Sequence, residues 1–278
     1  MLGDNLPPPS EVISLLNSKN ITKTRLFNPN QEALQALQNS GVEVILGTLN
    51  QDIQTLATNP SFALNWLQTN VIPFAETVKF RCISVGNEVI PSNLAPFVFP
   101  AMQTLKAALL ESNLEINVTT CFLVENQSPL LVNIYPYFAY IYEQQEIALA
   151  YALFNSSEVV VRDGDFEYYN LFDAMIDAVY SALEKIGGES VEILVSESGW
   201  PSNENGEIAT IENAKMYNNN LIRHVLRGNG TPKRKGKSIE GFVFAIFNEN
   251  LKPPGTEQNF GLFYPNMTEV YHVAFHPY

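Results

Sequence analysis

Three acids stand where apolar runs give out: Glu88 in "ISVGNEV", Glu197 in "EILVSESGWP" and Glu249 in "VFAIFNENLK". Each run is rich in β-branched and aromatic residues and reads as a strand. A carboxylate at the end of a strand that looks buried needs a reason, because burying a charge is costly. Two carboxylates can hydrolyse a glycosidic bond. One protonates the leaving oxygen while the other attacks the anomeric carbon or activates water. An acid that must donate a proton near neutral pH needs a raised pKa, and burial near a second carboxylate supplies one. A single Glu after a strand is ordinarily a solvated loop acid; three in such contexts are harder to dismiss. Tyr135, Tyr137, Phe138 and Trp200 lie near the same strand ends. They suit stacking on sugar faces and core packing equally well.

The elements that must position these residues alternate along the chain. Strands are predicted at 21–27, 42–47, 80–86, 114–120, 129–135, 191–197 and 241–247. Several are nearly continuous apolar runs, as expected for a parallel sheet covered on both faces. Helical patterns lie between them. "PPSEVISLLNSKN" offers Ser10 as an N-cap and puts Ile13 and Leu16 on one face. "NQEALQALQNSG" runs from Asn30 to a stopping Gly41. In "APFVFPAMQTLKAALLESN" the helix is expected to start near Pro100. "NLFDAMIDAVYSALEKIGG" spaces Leu171, Met175, Val179 and Leu183 four apart and ends in a glycine pair. "IENAKMYNNNLIRHVLRGNG" ends in the same way. Such alternation indicates βαβ units. Seven strands without a linker suit one (β/α) barrel over residues 1–278 better than a doubly wound sheet, for which no glycine-rich phosphate loop is present. A parallel barrel would gather the three acids at one mouth.

Composition narrows the function classes. The 278 residues are 46% hydrophobic and 16% charged, ample for a core and unlike a disordered chain. The net charge of −13 disfavours a nucleic-acid partner, which needs a basic surface, but does not repel a neutral polymer. Cys82 and Cys121 make neither a disulfide framework nor a metal site, and Cys82 reads as a small buried hydrophobe. His224, His272 and His276 lack ligand spacing, so no metal or other cofactor is expected. No apolar run reaches the length of a membrane span, and "MLGDNLPPPS" lacks the features of a signal peptide. Six sequons, at Asn20, Asn117, Asn126, Asn155, Asn229 and Asn266, exceed the roughly three expected by chance and hint at a secretory history. The one at Asn117 falls in a predicted strand and is expected to be silent.

The stretches "VGNEV", "LLVNIYPYF", "YYNLFDAMIDAVYSAL", "VSESGWPS", "GTPKR", "FAIFNEN" and "NFGLFYP" resemble, in order and over nearly the whole chain, the plant glucan endo-1,3-β-glucosidases of glycoside hydrolase family 17. The resemblance implies a (β/α)8 barrel and retaining endo-hydrolysis of 1,3-β-glucans such as callose, laminarin and fungal wall glucan. It implies Glu197 as nucleophile, Glu88 as general acid/base and Asn87 as a sugar contact at the cleavage point. Retention would place the two carboxyls about 5–5.5 Å apart. Glu249, Lys252 and Glu257 match charged residues lining the cleft. Tyr135, Phe138 and Phe260 match aromatics along the glucan groove, and Trp200 joins them as a candidate. A monomer, secreted or vacuolar, is expected.

Two departures from the family make the expected barrel incomplete. The family opens with a strand resembling "IGVCYG", and here Met1 falls inside the loop that follows it. Between "NVTT" and "PLLVNIY" the family has a long loop and a helix, where this chain has only "CFLVENQS" and Pro129. Nine extended residues reach about 30 Å, enough to return along a strand of about 17–20 Å but without a covering helix. An active glucanase, a glucan-binding but poorly active relative, and a different retaining glycosidase or transglycosylase are the competing readings.

Overall fold

The computed structural model describes residues 2–119 and 129–275. The expectations attached to Cys121, Asn126, His276 and the connection "CFLVENQS" lie outside them. The described chain forms two compact units. The first is Pro8–Leu131 with Ser190–Glu192; the second is Met1–Pro7, Val132–Glu189 and Ile193–Tyr278.

The first unit alternates helices and strands: α1 (Pro9–Ser18), β1 (Lys23–Leu26), α2 (Gln31–Leu37), β2 (Glu43–Gly47), α3 (Ile53–Thr58), α4 (Pro60–Asn70), β3 (Lys79–Ser84), α5 (Ala95–Glu111) and β4 (Asn117–Thr119). The four strands form a parallel sheet in the order β1-β2-β3-β4. Val44, Ile45, Leu46 and Ile83 are fully buried, so β2 and β3 are covered on both faces. Helix starts are written locally. Asn30 accepts the Ala33 amide at 2.8 Å, and Asn59 accepts that of Phe62 at 3.2 Å ahead of Pro60. Three expectations are corrected. Ser10 lies inside α1, which starts at Pro9 with no side-chain cap, because Pro is pre-organised for the first turn. The buried residues of α1 are Val12 and Leu16, not Ile13. Helix α5 begins at Ala95 rather than near Pro100, since burial of Val98, Ala101, Met102 and Leu105 outweighs the one backbone bond that Pro100 cannot make.

The second unit begins within β5 (Leu130–Asn133) and continues through α6 (Pro136–Tyr142), α7 (Leu149–Ala152), β6 (Val161–Asp163), β7 (Phe166–Tyr168), α8 (Leu171–Glu184), β8 (Ile193–Ser198), α9 (Ile211–Arg227) and β9 (Glu240–Val243). Its main sheet has the order β5-β8-β9. Bonds from Leu130 N to Glu192 O and from Ile134 N to Glu197 O ascend together, the signature of a parallel pair, and β8–β9 is parallel as well. The antiparallel hairpin β6–β7 was not anticipated, although its "RDGD" turn, with Gly164 at φ +57°, carries the signal. Helix α8 buries Phe172, Asp173, Ile176, Asp177 and Leu183, so its inward face is not the Leu171–Met175–Val179 line the spacing suggested. Strand β9 stops at Val243 rather than residue 247. Phe244 N makes the last bond to β8, at Ser198 O, and residues 245–248 then pair with 260–263.

Candidate active site

In the first unit, Asn87 and Glu88 lie just past β3. Gly86 turns the chain at φ +72°, and Glu88 also holds a left-handed φ of +53°. That geometry is held from outside. The Thr48 hydroxyl accepts the Gly86 amide at 3.1 Å. Asn50 pairs twice with the Asn87 backbone, at 2.8 and 2.9 Å. Arg25 Nη2 donates to Asn87 Oδ1 at 2.9 Å and stacks 4.4 Å from the Phe27 ring. The Asn87 side chain is thus oriented by a guanidinium, and Glu88 is exposed. The burial expected of a proton donor is absent at Glu88; of the three strand-end acids, Glu197 and Glu249 are the buried ones.

Glu197 sits within β8, one residue before its end, on a strand whose six residues are all buried. It is 5% exposed, and the Tyr135 hydroxyl donates to its Oε2 at 2.8 Å. The backbone around it is tightly stacked. A Cβ on Gly199 would lie 2.1 Å from the Phe244 carbonyl oxygen, so only glycine fits there. Ser198 shares a 2.6 Å hydrogen bond with Tyr217, whose phenol burial pushes far above its ordinary range and so keeps neutral.

Around Glu197 an aromatic cluster joins Tyr135, Phe138, Phe244 and Phe260, with ring centroids 5.3 to 6.2 Å apart. Tyr135 and Phe138 are half-buried. Phe260 is 2% exposed and Trp200 fully enclosed. The Trp200 ring packs against Tyr137, Tyr140 and Tyr217, and its Nε1 donates to Ile208 O at 2.9 Å. Trp200 therefore packs rather than presenting a face to a sugar, the alternative the sequence had left open. Lys252 Nζ lies 4.2 Å from the Phe244 ring, 3.4 Å from Glu249 Oε2 and 3.8 Å from Glu257 Oε2. Leu2 N donates to the other Glu249 oxygen at 2.8 Å. Sequence reasoning missed Arg25, Asn50 and Phe244. The Arg inside the strand-type run "ITKTRLF" was the available signal for the first.

The family model for glycosyl hydrolases family 17 matches residues 1–125 and 119–275. This chain belongs to that family. A glucan endo-1,3-β-glucosidase of Vitis vinifera is 45% identical, with 98% of this chain and 89% of the relative covered. A β-1,3-glucanase and allergen of Cryptomeria japonica pollen superposes with a TM-score of 0.93 at 41% identity, over 99% of this chain and 97% of that one. One of two plant β-glucan endohydrolases with distinct substrate specificities gives a TM-score of 0.94 at 42% identity, over 99% and 98%. The fold class is the α/β, (β/α)8 barrel class of this glycoside hydrolase family. The Vitis alignment spans 310 positions against 278 residues here, so at least 32 positions of the relative have no counterpart. The two stretches matched by the family model overlap at 119–125, next to the connection at which the sequence was expected to depart from the family.

Proposed function

We propose that this chain hydrolyses internal 1,3-β-glucosidic bonds with retention of configuration, Glu197 acting as nucleophile and Glu88 as general acid/base. The observation that carries the assignment is Glu197 itself: a nearly enclosed carboxylate on a rigid strand, aimed by the Tyr135 hydroxyl at 2.8 Å. In the first step the Glu197 carboxylate attacks the anomeric carbon while Glu88 passes its proton to the departing sugar oxygen. In the second, Glu88, now a carboxylate, takes a proton from water as that water displaces Glu197. Asn87 contacts the sugar at the cleavage point, and half-buried Tyr135 and Phe138 offer ring surface to the glucan. Glu249, Lys252 and Glu257 present charge to its hydroxyls, and enclosed Phe260 backs the aromatic wall. The likeness to relatives that cleave 1,3-β-glucan supports this substrate. The domain acts as a single monomeric barrel, in a secreted or vacuolar setting. Among the described residues no helix is long and apolar enough to cross a membrane.

The at least 32 absent positions favour a second reading, a glucan-binding chain of low turnover. Reducing-end release from laminarin separates the two. On the first reading, Glu197→Gln lowers turnover at least about 1000-fold while laminarin binding persists, and proton NMR shows the β-anomer as first product. Retained turnover in that variant, or an α-anomer, would overturn the assignment. Chain elongation in place of short oligosaccharides would mark a transglycosylase.

A further inference from the structure

The loop that carries Glu249 and Lys252 is clasped from two sides. On one side lies the segment Leu2–Asp4. Besides the Leu2 amide on Glu249 Oε1, Leu251 N donates to Leu2 O at 2.9 Å, and Asn250 Nδ2 donates to Asp4 Oδ1 at 2.7 Å. A Cβ on Gly3 would lie 3.3 Å from Asn250 Oδ1, so the two segments run close together. On the other side, Gln258 Nε2 donates to both Asn250 O and Lys252 O, at 3.0 and 2.8 Å. The clasp has a consequence for charge placement. Lys252 is 14% exposed and is held against Glu249 and the Phe244 ring. Phe244 touches Tyr135, and Tyr135 bonds Glu197. A flexible lysine gains little from a partner it must find; one fixed by its loop keeps its ammonium in place without that entropic cost.

We propose that Asp4, Asn250 and Gln258 are positioning residues that fix the Lys252 ammonium over Phe244 beside the Glu197 site, so that it meets glucan hydroxyls already oriented. The inference rests on the reading of Glu197 given above. None of the three residues touches the reacting atoms; they act through Lys252.

The test is a set of double-mutant cycles on the full chain, reading kcat/KM on laminarin and, in a Glu197→Gln background, laminarin affinity. Asp4→Ala and Gln258→Ala are expected to lower each quantity about fivefold, as loss of one hydrogen bond allows. Asp4→Asn, which keeps an acceptor for Asn250, is expected to restore the parent value. In a Lys252→Met background neither alanine change should lower activity or affinity further, although any change in melting temperature should persist, because a merely structural contact is indifferent to Lys252. Losses that add to that of Lys252→Met, alanine variants that lower only melting temperature, or a Lys252→Met chain equal to the parent would each overturn the proposal. Should the parent turn over too slowly to measure, the affinity cycle alone decides. Unimpaired turnover in Glu197→Gln would remove the nucleophile assignment and leave the Lys252 cycle readable.

Discussion

Tyr135 links the aromatic cluster to the Glu197 carboxylate. Its hydroxyl bonds Oε2, while its ring is wedged edge-on between Phe138, Phe244 and Phe260. The ring fixes the hydroxyl and the hydroxyl fixes the carboxylate, which pre-organises the attacking oxygen. Tyr135→Phe keeps the packing and removes the bond. It is expected to lower kcat on laminarin by about tenfold or more, with a melting temperature within about 2 °C of the parent. Equal kcat in the two proteins would show that the Tyr135 bond is not needed to position Glu197.

At the scale of elements, α8 stands out for burying two acids, Asp173 and Asp177, on one face. Asp173 is answered by His224 of α9 at 2.8 Å and by Asn170 at 2.8 Å. Asp177 accepts from Tyr168 at 3.1 Å and from the Lys233 amide at 2.9 Å, joining β7 and the segment after α9 to the helix. Burial holds the Asp177 carboxyl above its usual range despite those bonds. The sign follows by linkage. Above the unfolded value of about 3.9 the folded chain retains a proton that the unfolded chain releases, so this group's contribution to stability falls as pH rises through its folded pKa. Asp177→Asn removes that slope. The melting temperature of the variant relative to the parent is expected to rise between about pH 4 and pH 7. Parallel melting curves across that range would show that Asp177 titrates as it does in the unfolded chain.

At the scale of the whole molecule, the chain aligns with its Vitis relative with at least 32 positions missing, and the family-model matches overlap at 119–125. Parallel strands are ordinarily joined by crossovers of a dozen or more residues, commonly helical. In sequence, ten residues, 120–129, separate β4 from β5. Apolar strand surface left without its cover costs about 25 cal/mol per Å². Inserting the Vitis segment between Thr119 and Pro129 is expected to raise both melting temperature and laminarin turnover, with the pH optimum unchanged because Glu88 and Glu197 are untouched. Equal stability and turnover in the two chains would show the segment dispensable.

The sequence by itself determined the seven parallel-type strands and the helix ends at Asn30 and Gly228, because periodicity and the residues that start and stop helices are local properties. It also carried the family, through "VGNEV" and "VSESGWP". Tertiary structure decided the rest. It enclosed Trp200 and Phe260, left Glu88 exposed and buried Glu197. It ended β9 early by offering residues 260–263 as a new partner, and ran α5 through Pro100. It put Asp4 on Asn250 and Arg25 on Asn87, pairs 246 and 62 residues apart. The physical reason is common to all of these. Burial and long-range hydrogen bonds depend on which surfaces meet, and no residue's own type or near neighbours encode that meeting.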